Sequence, residues 1–519
     1  MVNKAKISPF QLIYVSGEVF MTNIFTTPIF YANGEPHVGH AYSGILADIF
    51  HRYALLANSE SCLITGTDEH GLKIAQAASK SCAEVEDFVD RKSASFVELW
   101  SALKIDPDIF IRTTDRFHAQ FVEKVWKKLR DKGDIYLGNY QGQYCIGCEQ
   151  FYNKRDLVDE KYCAIHKTEV QFFEEETYLF RLSRYREQLL EFYTSNQDFI
   201  IPTFTQDYVV KQLKEEPLED LSVSRINHRW GIPVPGDGNH TIYVWIDALF
   251  SYLSAIQKAG YNPDQLKKTT HILGKDILKF HAIYWPVFLL ALDLPLPKHL
   301  VVHGWWKVEG HKISKSIPET VVHPNAFQTE LSNDGLRYAL VKQKPLFRDG
   351  DLVQDSLKHV INADLVNNFA NLVKRNNTLI LKQLSGEITG ITELDIECRQ
   401  IVTEAEVKLD KVIDGYQAFD ILIVSQLLNQ ILTELNRFFH ERTPWLINKG
   451  LAREHVSSTC FVVANVVREV AILYSPIIPS LSESILNELG DNRSASLERG
   501  RPLLRDISIN KVQNHCARV

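Results

Sequence analysis

Two short motifs in this sequence have side chains suited to work on nucleotide phosphates. The first, His37-Val38-Gly39-His40, lies where an apolar strand pattern gives way to a helix pattern. Gly39 would let a phosphate approach the backbone, the helix N-terminus favours anions, and two imidazoles can donate to phosphate oxygens. The second, Lys312-Ile313-Ser314-Lys315-Ser316, can clamp the charge that develops on a transferring phosphoryl or nucleotidyl group. Each motif alone is weak, but the pair in this order predicts nucleotide-activating chemistry.

A third motif has the spacing of a metal site. Cys145-x-x-Cys148 and Cys163-x-x-His166 are two pairs of soft ligands separated by fourteen residues. Each pair can provide two of the four ligands of a tetrahedral zinc site. Because all four ligands would come from the protein, no coordination position stays open for catalysis. We therefore predict a structural zinc knuckle with the ligands Cys145, Cys148, Cys163 and His166.

The N-terminal region has the strand, loop, helix, strand order of a parallel α/β sheet. A first strand begins near Ile24 and is expected to end at Pro28, and a second strand at 61–65 leads into the polar loop 66–71. Between them, apolar residues at helical spacing mark the buried face of a helix: Ile45, Leu46, Ile49, Phe50 and Tyr53. We place the first half of a catalytic domain at 21–133, after an N-terminal extension at 1–20.

The pattern changes near Gly133. Residues 134–235 contain the cysteine cluster and are predicted to form an inserted connective domain, and the second half of the catalytic domain follows at 236–310. We expect three parallel strands, each followed by a polar or aromatic cluster: 241–246 with Trp245 and Asp247, 271–273 with Lys275 and Asp276, and 299–302 with His303 to Trp306. Ligands of open α/β sheets bind beyond the carboxyl ends of the strands, so these clusters should converge on one site.

The C-terminal third lacks strand signals. Apolar residues recur there at helical spacing, and prolines separate further helices: Ile423, Leu427, Ile431, Leu435 and Phe438, with Pro444, Pro476 and Pro479. We place an α-helical bundle at 353–519 and a connecting region with the lysine-rich motif at 311–352. The predicted fold class is α/β: a Rossmann-type parallel-sheet catalytic domain, split by a zinc-knuckle insertion and followed by an α-helical bundle domain.

The composition is that of a soluble globular protein of 519 residues with a net charge of −7. Eight cysteines are too few for a disulfide scaffold, and the richest apolar stretch, 285–296, is interrupted by two prolines and an aspartate, so we predict no membrane segment. The mild acidity argues against a protein that coats polyanions in general, but it allows a local basic surface for nucleic acid. Residues 1–20 are either a weak organelle-targeting segment or precede the true start at Met21.

These motifs carry a family resemblance. His37 to His40 resembles the HIGH signature of class I aminoacyl-tRNA synthetases, and Lys312 to Ser316 resembles their KMSKS loop, called the signature loop below. Within that class, the chain is similar to the methionyl-tRNA synthetases of the short form with one zinc knuckle. The resemblance extends from Met21 to about residue 490 and includes these segments: TPIFYANG at 27–34, GTDEHG at 66–71, YVWIDA at 243–248, GKDI at 274–277, HGWW at 303–306 and NADL at 362–365.

The resemblance implies a methionine–tRNA ligase. In such enzymes ATP and L-methionine condense to methionyl-adenylate and pyrophosphate, and the methionyl group passes to the 3′-terminal adenosine of initiator and elongator tRNA(Met). Mg²⁺ would accompany ATP, and zinc would be structural. The implied catalytic residues are His37, His40, Lys312 and Lys315, and these bind ATP together with Gly39 and Ser314.

The resemblance also implies two binding regions. Asp68 would hold the substrate ammonium, and aromatic walls suit a thioether. The implied methionine-binding residues are Ile29, Tyr31, Asp68, Trp245, Ala248, Tyr252, Asp276, Ile277, His281 and Trp285. The helical bundle would read the anticodon through Asn371 and Arg375, which share a helix face, and through Trp445, which offers a stacking platform.

One departure from the family motivates an alternative function. Ile317-Pro318-Glu319 replaces the usual Leu-Gly-Asn after the signature loop, and proline restricts a segment that glycine leaves free. The alternative is a synthetase-like paralogue that activates an amino acid for a small-molecule acceptor. An inactive tRNA-binding or zinc-binding regulator fits the intact histidines and lysines less well. Another class I enzyme, the cysteine-specific synthetase, also fits less well, because its zinc ligands surround the substrate, whereas here the predicted ligands cluster in the insertion. We expect a monomer without a membrane partner, in the cytoplasm or alternatively in the mitochondrial matrix.

Overall fold

The computed structural model describes residues 21–145, 150–152, 157–164, 167–226, 230–313, 331–391, 393–490, 505–509, 511–513 and 515. The strands are β1 (Asn23–Tyr31), β2 (Ser61–Asp68), β3 (Ile109–Arg112), β4 (Ile135–Cys145), β5 (Gln150–Tyr152), β6 (Leu157–Val158), β7 (Tyr162–Cys163), β8 (Gln171–Phe180), β9 (Ile200–Ile201), β10 (Leu221–Ser222), β11 (Ser224–Ile226), β12 (Pro233–Val234), β13 (Asp237–Ile242), β14 (Thr269–Gly274), β15 (His299–His303), β16 (Trp306–Val308), β17 (His311–Lys312), β18 (Gly350–Asp351), β19 (Glu387–Ile388) and β20 (Ile507–Ser508). The α-helices are α1 (Val38–Leu56), α2 (Leu72–Lys80), α3 (Val85–Ala102), α4 (Arg116–Asp131), α5 (Arg186–Ser195), α6 (Thr203–Glu215), α7 (Val244–Lys258), α8 (Trp285–Ala291), α9 (Asn333–Lys342), α10 (Gln354–Val360), α11 (Asn371–Gln383), α12 (Ile396–Gln417), α13 (Ile421–Glu441), α14 (Arg453–Tyr474) and α15 (Pro479–Glu488).

The centre of the catalytic region is a parallel sheet with the strand order β3-β2-β1-β14-β15-β9. The strands predicted around residues 24, 61, 271 and 299 are β1, β2, β14 and β15, so the parallel α/β prediction is confirmed. Starting from β1, the chain adds β2 and then β3 on one side of the sheet, and it later adds β14 on the opposite side of β1. The strand order therefore reverses between β1 and β14, and a ligand crevice forms beyond the carboxyl ends of strands at such a reversal.

Helices cover both faces of this sheet. One face packs with α1 and α3 into an apolar core that continues through α9 into the C-terminal helices. The other face packs against α4, α7 and α8. Because α1 lies between the sheet and the later helices, it is buried on nearly every side, including Ile45, Leu46, Ile49 and Phe50, as the helical spacing predicts.

Two predicted strand ends are wrong. β1 does not stop at Pro28 but continues to Tyr31, and its register with β2 shifts between Thr26 and Ile29. Such an irregularity accommodates Pro28, which has no N–H to donate to a neighbouring strand. β2 likewise extends beyond 65 to Asp68. Both extensions carry predicted binding residues further toward the crevice than the sequence pattern indicates.

The parallel strand predicted at 241–246 is also wrong. The strand here is β13, which ends at Ile242 and lies in a separate antiparallel sheet with β11 and β12, and α7 begins at Val244. Almost every residue of α7 from Val244 to Ile256 is buried, including the polar Asp247, Ser251 and Ser254, so this stretch of the helix has no solvent-exposed polar face. A short, wholly apolar run does not distinguish a strand from a buried helix. Trp245 and Asp247 therefore lie on the first turn of a helix.

The segment predicted as an insertion forms an antiparallel sheet of its own, in the order β10-β8-β4-β5. Within the same segment, β9 pairs with β15 as an edge strand of the parallel sheet. Residues 134–235 thus contribute to both sheets. The domain boundaries given above remain predictions.

The C-terminal region is helical, as predicted, and β19 and β20 form a small antiparallel pair within it. The helix predicted around Ile431 is α13, although its buried face includes Val424 and Leu428 while Ile423 is exposed. In the described part of the chain, α14 is long and apolar enough to cross a membrane by length and composition alone. Its apolar window is 94% buried within the bundle, as expected of a core helix.

Candidate active site

The histidine motif forms the first turn of α1, shortly after β1 reaches the crevice. His37 caps the helix: its Nδ1 accepts the Gly39 N–H at 3.1 Å, and Nδ1 of His40 accepts the His37 N–H at 3.0 Å. The two rings stack with centroids 3.7 Å apart. Because each Nδ1 accepts a hydrogen bond, each neutral ring carries its proton on Nε2. The turn therefore combines two imidazole N–H donors with a helix N-terminus, which suits phosphate oxygens.

Gly39 is required by the packing of this turn. A Cβ at this position would lie 2.9 Å from Cε1 and 3.0 Å from Nδ1 of His37. Any larger side chain must push the His37 ring away from the position in which it caps α1. The glycine thus has a second role beside the predicted access of a phosphate to the backbone.

The polar loop at the end of β2 is held against β3. Glu69 is buried and accepts hydrogen bonds from Arg112 Nε at 2.7 Å, Arg112 Nη2 at 3.0 Å and Thr67 Oγ1 at 2.6 Å. A Cβ on Gly66 would come within 1.9 Å of the carbonyl oxygen of Ile111, so β2 and β3 approach each other closely here. Asp68, the predicted ammonium ligand, is buried at this strand end. Its backbone position is therefore rigidly supported.

Asp247 joins this loop to α7 and α4. Its Oδ2 lies 2.6 Å from His70 Nδ1, and its Oδ1 lies 2.7 Å from His118 Nε2. Burial would raise the pKa of Asp247, but attraction to His70 and hydrogen bonds from both histidines outweigh burial and lower the pKa to about 2. The side chain is thus an ionised carboxylate in the protein interior. Sequence reasoning singled out Asp247 but not His118, which lies on a different helix.

Tyr252 and His281 form a polar contact in an otherwise aromatic cluster. His281 Nδ1 donates to the carbonyl of Ile277 at 3.0 Å, so its Nε2 accepts the Tyr252 hydroxyl at 2.7 Å. Burial lowers the pKa of His281 to about 4, and burial raises the pKa of Tyr252 well above its usual range. Both groups are therefore neutral at physiological pH, which is compatible with the predicted binding of an uncharged thioether.

His271 supports this cluster from β14, and sequence reasoning assigned it no role. Trp285 Nε1 donates to His271 Nε2 at 3.2 Å, so His271 Nδ1 donates to Thr26 Oγ1 at 2.7 Å. Its ring centroid lies 4.3 Å from that of Tyr252. Burial, together with repulsion from His281, lowers the pKa of His271 well below its usual value. A histidine in the middle of an apolar strand was the one available signal.

The other predicted methionine-binding residues differ in exposure and in the cluster that they contact, and Tyr31 packs against a separate apolar cluster that includes Ala32 and Ile74. Trp245 stacks on Phe280, which sequence reasoning missed, with ring centroids 3.4 Å apart. Asp276 is exposed and accepts a hydrogen bond from Trp305 Nε1 at 3.1 Å. Ala248 and Trp285 are buried, and the remaining predicted residues are partly buried: Ile29, Tyr31 and Ile277.

The signature loop begins at Lys312, the last residue of a small hairpin formed by β16 and β17, and the backbone of Lys312 pairs with that of Lys307. Asp349 supports this hairpin: it accepts hydrogen bonds from Lys275 Nζ at 2.9 Å and the Trp305 N–H at 2.9 Å, and pairs with Lys307 Nζ at 2.8 Å. Partial burial would raise the pKa of Asp349, but the two lysines outweigh it and lower the pKa far below its usual value. Ser314 and Lys315 lie outside the described residues, as does Pro318.

A buried lysine joins α1 to the base of the hairpin. Lys344 Nζ donates to the Tyr42 hydroxyl at 3.1 Å and to the carbonyl of Arg348 at 3.0 Å, and it lies 4.3 Å from the centre of the Tyr42 ring. Burial lowers the pKa of Lys344 to about 7. On the same helix, Ser43 Oγ lies 2.8 Å from Nε2 of His303, at the end of β15. The histidine turn and the signature-loop hairpin are thus coupled through α1.

The predicted zinc ligands are described in part. Cys145 and Cys163 are buried in one small cluster with Leu157 and Val170. Cys148 and His166 lie outside the described residues. Within the described part of the chain, no group of three or more His, Cys, Asp or Glu residues is arranged to hold a metal.

Two of the three predicted anticodon residues meet in the helical region. The Arg375 guanidinium lies over Trp445 and Phe439, with its carbon 5.5 and 5.1 Å from the ring centres. Trp445 is 37% exposed. Asn371 is exposed one helical turn before Arg375 on α11. The arrangement offers an exposed aromatic and cationic surface of the kind that stacks unpaired bases.

Comparison with known proteins gives one consistent result. The family described as tRNA synthetases class I (M) matches residues 23–159 and 154–377. The methionine–tRNA ligase of Thermotoga maritima is 36% identical over 91% of this chain and 76% of its own, and that of Nostoc sp. is 37% identical over 90% of both. The structure of Mycobacterium tuberculosis methionyl-tRNA synthetase bound by methionyl-adenylate has a TM-score of 0.88 and 32% identity, over 94% of this chain and 98% of that one.

Proposed function

We propose that this chain, which belongs to the methionine branch of the class I tRNA synthetases, is a methionine–tRNA ligase. It activates L-methionine with ATP to methionyl-adenylate and pyrophosphate, and transfers the methionyl group to the 3′-terminal adenosine of initiator and elongator tRNA(Met). The observation that carries the proposal is the likeness, over nearly the full chain, to a synthetase whose structure contains methionyl-adenylate. The neutral aromatic pocket beside a buried carboxylate supports the same substrate.

In adenylate formation the methionine carboxylate attacks the α-phosphorus of ATP, and pyrophosphate leaves. His37 and His40 would donate from Nε2 to phosphate oxygens, and the N-terminus of α1 would add favourable electrostatics. Lys312 and Lys315 would stabilise the charge on the pentacoordinate α-phosphate, with Ser314 as a further donor. Enzymes of this class use ATP with Mg²⁺, which supplies further neutralisation of phosphate charge when bound.

Methionine recognition divides between two neighbouring groups of residues. The Asp68 carboxylate would hold the ammonium, for which an ionised oxygen is the natural partner. The thioether would lie among the aromatic rings, where the Tyr252 hydroxyl is already committed to His281. Because the histidines behind the pocket are neutral, the pocket offers no charge to a competing acidic or basic side chain.

The helical region would bind the tRNA anticodon. Arg375 and Trp445 form a stacking surface for an unpaired base, and Asn371 on the same face of α11 can bond a base edge. An anticodon reader has no use in an enzyme with a small-molecule acceptor. This surface therefore favours tRNA over the alternative acceptor.

Cys145, Cys148, Cys163 and His166 would hold a structural zinc ion. The burial of Cys145 and Cys163 in one cluster fits two thiolate ligands of one tetrahedral site. Elemental analysis of the purified protein should find about one zinc per chain, and Cys163→Ser should lose it. A full-length, folded protein without zinc would refute this assignment.

Cellular location and oligomeric state are part of the proposal. We propose a cytoplasmic monomer, with the mitochondrial matrix as the alternative location. Light scattering at micromolar concentration should give the mass of one 59.5 kDa chain. Fusion of residues 1–20 to a fluorescent reporter tests the alternative: import into mitochondria would assign the protein to the matrix.

The deciding experiment is ATP–pyrophosphate exchange with each of the twenty amino acids, followed by charging of a tRNA with the CAU anticodon. Methionine should support exchange, and the tRNA should be charged. Lys315→Ala should reduce exchange by about 100-fold or more while methionine binding stays nearly intact. Exchange without charging would favour a small-molecule acceptor, and the absence of exchange would leave an inactive binding protein.

A further inference from the structure

A buried chain of polar side chains runs beside the predicted ammonium site. Asp247 accepts hydrogen bonds from His70 Nδ1 at 2.6 Å and His118 Nε2 at 2.7 Å, and Ser254 Oγ lies 2.7 Å from His118 Nδ1. The Asp247 and His118 side chains are 2% and 0% exposed. Burying an ionised carboxylate costs free energy unless hydrogen bonds satisfy its oxygens, so we expect this group to have a structural or functional role.

The location of the Asp247 carboxylate indicates what this role is. His70 lies two residues after Asp68, on the loop that leaves β2. Asp247 lies on the first turn of α7, between Trp245 and Ala248, which are predicted walls of the methionine pocket. One carboxylate thus joins the strand end that carries the ammonium ligand to the helix that carries the thioether pocket.

His118 gives the link its rigidity. With one oxygen bound to His70 and the other to His118, the Asp247 carboxylate cannot rotate without losing a hydrogen bond. Both oxygens are acceptors because the group is ionised, as its lowered pKa indicates. An amide at this position would turn an N–H toward one of the two histidines and force that ring to change its tautomer or its orientation.

We propose that Asp247, acting through His70, is a positioning residue that holds Asp68 in register with the methionine pocket on α7. The inference rests on the proposed function, because it assigns the ammonium to Asp68. Neither Asp247 nor His70 needs to touch the substrate for this role. The link sets the distance between two groups that must bind opposite parts of one small molecule.

A double-mutant cycle tests this link, with kcat/KM for methionine in ATP–pyrophosphate exchange as the measured quantity. Asp247→Asn and His70→Ala should each lower kcat/KM by about 10- to 100-fold, mainly through KM for methionine, and leave KM for ATP within about twofold. In an Asp68→Asn background the same substitutions should cost less than about threefold, because they act through Asp68. His70→Gln, which retains an N–H donor for Asp247, should recover part of the loss.

Asp134→Asn is the matched control. Asp134 is another buried carboxylate, bonded to Arg184 at 3.1 Å in a different part of the chain, and its amide variant should leave KM for methionine unchanged. Full, additive losses in the Asp68→Asn background would overturn the proposal, as would equal rises in KM for ATP and methionine. If Asp247→Asn fails to fold, the His70→Ala cycle decides. If the unmodified enzyme shows no methionine-dependent exchange, the proposed function fails instead.

Discussion

Gly39→Ala should separate the catalytic role of His37 from its role in folding. The new Cβ would lie 2.9 Å from Cε1 of His37, closer than side chains tolerate, so the ring must leave its capping position. Loss of the cap costs about 1 kcal/mol. Alanine is favoured over glycine inside a helix by about 1 kcal/mol, and the two effects nearly cancel. We therefore expect little change in the free energy of unfolding.

Activity should fall even though the fold is retained. A displaced His37 can no longer donate to the phosphate, and removal of one such donor typically lowers kcat by about 100-fold or more. The assay is ATP–pyrophosphate exchange at saturating methionine, with urea unfolding measured on the same preparation. Gly238→Ala is the control, since a Cβ there meets nothing within 4 Å. Wild-type exchange in Gly39→Ala would refute the role given to the His37 orientation, and a loss of several kcal/mol in stability would refute the cancellation.

Three further predictions concern other parts of the molecule. Because burial lowers the pKa of Lys344 from 10.5 to about 7, the unfolded chain holds that proton more tightly, so stability should rise between pH 7 and 10.5. Lys344→Met should reduce this slope by up to about 1.4 kcal/mol per pH unit, measured by urea unfolding; identical slopes would contradict it. Trp445→Ala should lower tRNA charging about tenfold or more and spare pyrophosphate exchange, whereas a parallel loss of both would make Trp445 a core residue. Gly66→Ala should destabilise the sheet by about 3 kcal/mol in urea unfolding, because its Cβ would collide with the Ile111 carbonyl; an unchanged midpoint would contradict that contact.

Local patterns were sufficient to predict the parts of the fold that local interactions determine. The apolar spacing of Ile45, Ile49 and Phe50 predicted α1, and the histidine motif at its start proved to be the helix cap. The same reasoning failed at 241–246, because so short an apolar run does not distinguish a strand from the start of a buried helix, and the polar residues of α7 at helical spacing (Asp247, Ser251 and Ser254) lie beyond it. It also failed at Pro28. The register shift between β1 and β2 allows β1 to continue past this proline, and the periodicity of β1 alone does not reveal such a shift.

The sequence by itself determined most of the elements, the family and the residue types at the site, because motif spacing and amphipathic periodicity act over a few residues. Only the tertiary structure decided which of those residues meet. His118 and Asp247 are 129 positions apart, and Tyr42 and Lys344 are 302 apart, yet each pair forms a buried hydrogen bond. Such contacts depend on strand order and on the packing of helices across the sheet. These are properties of the whole folded chain, and no local pattern specifies them.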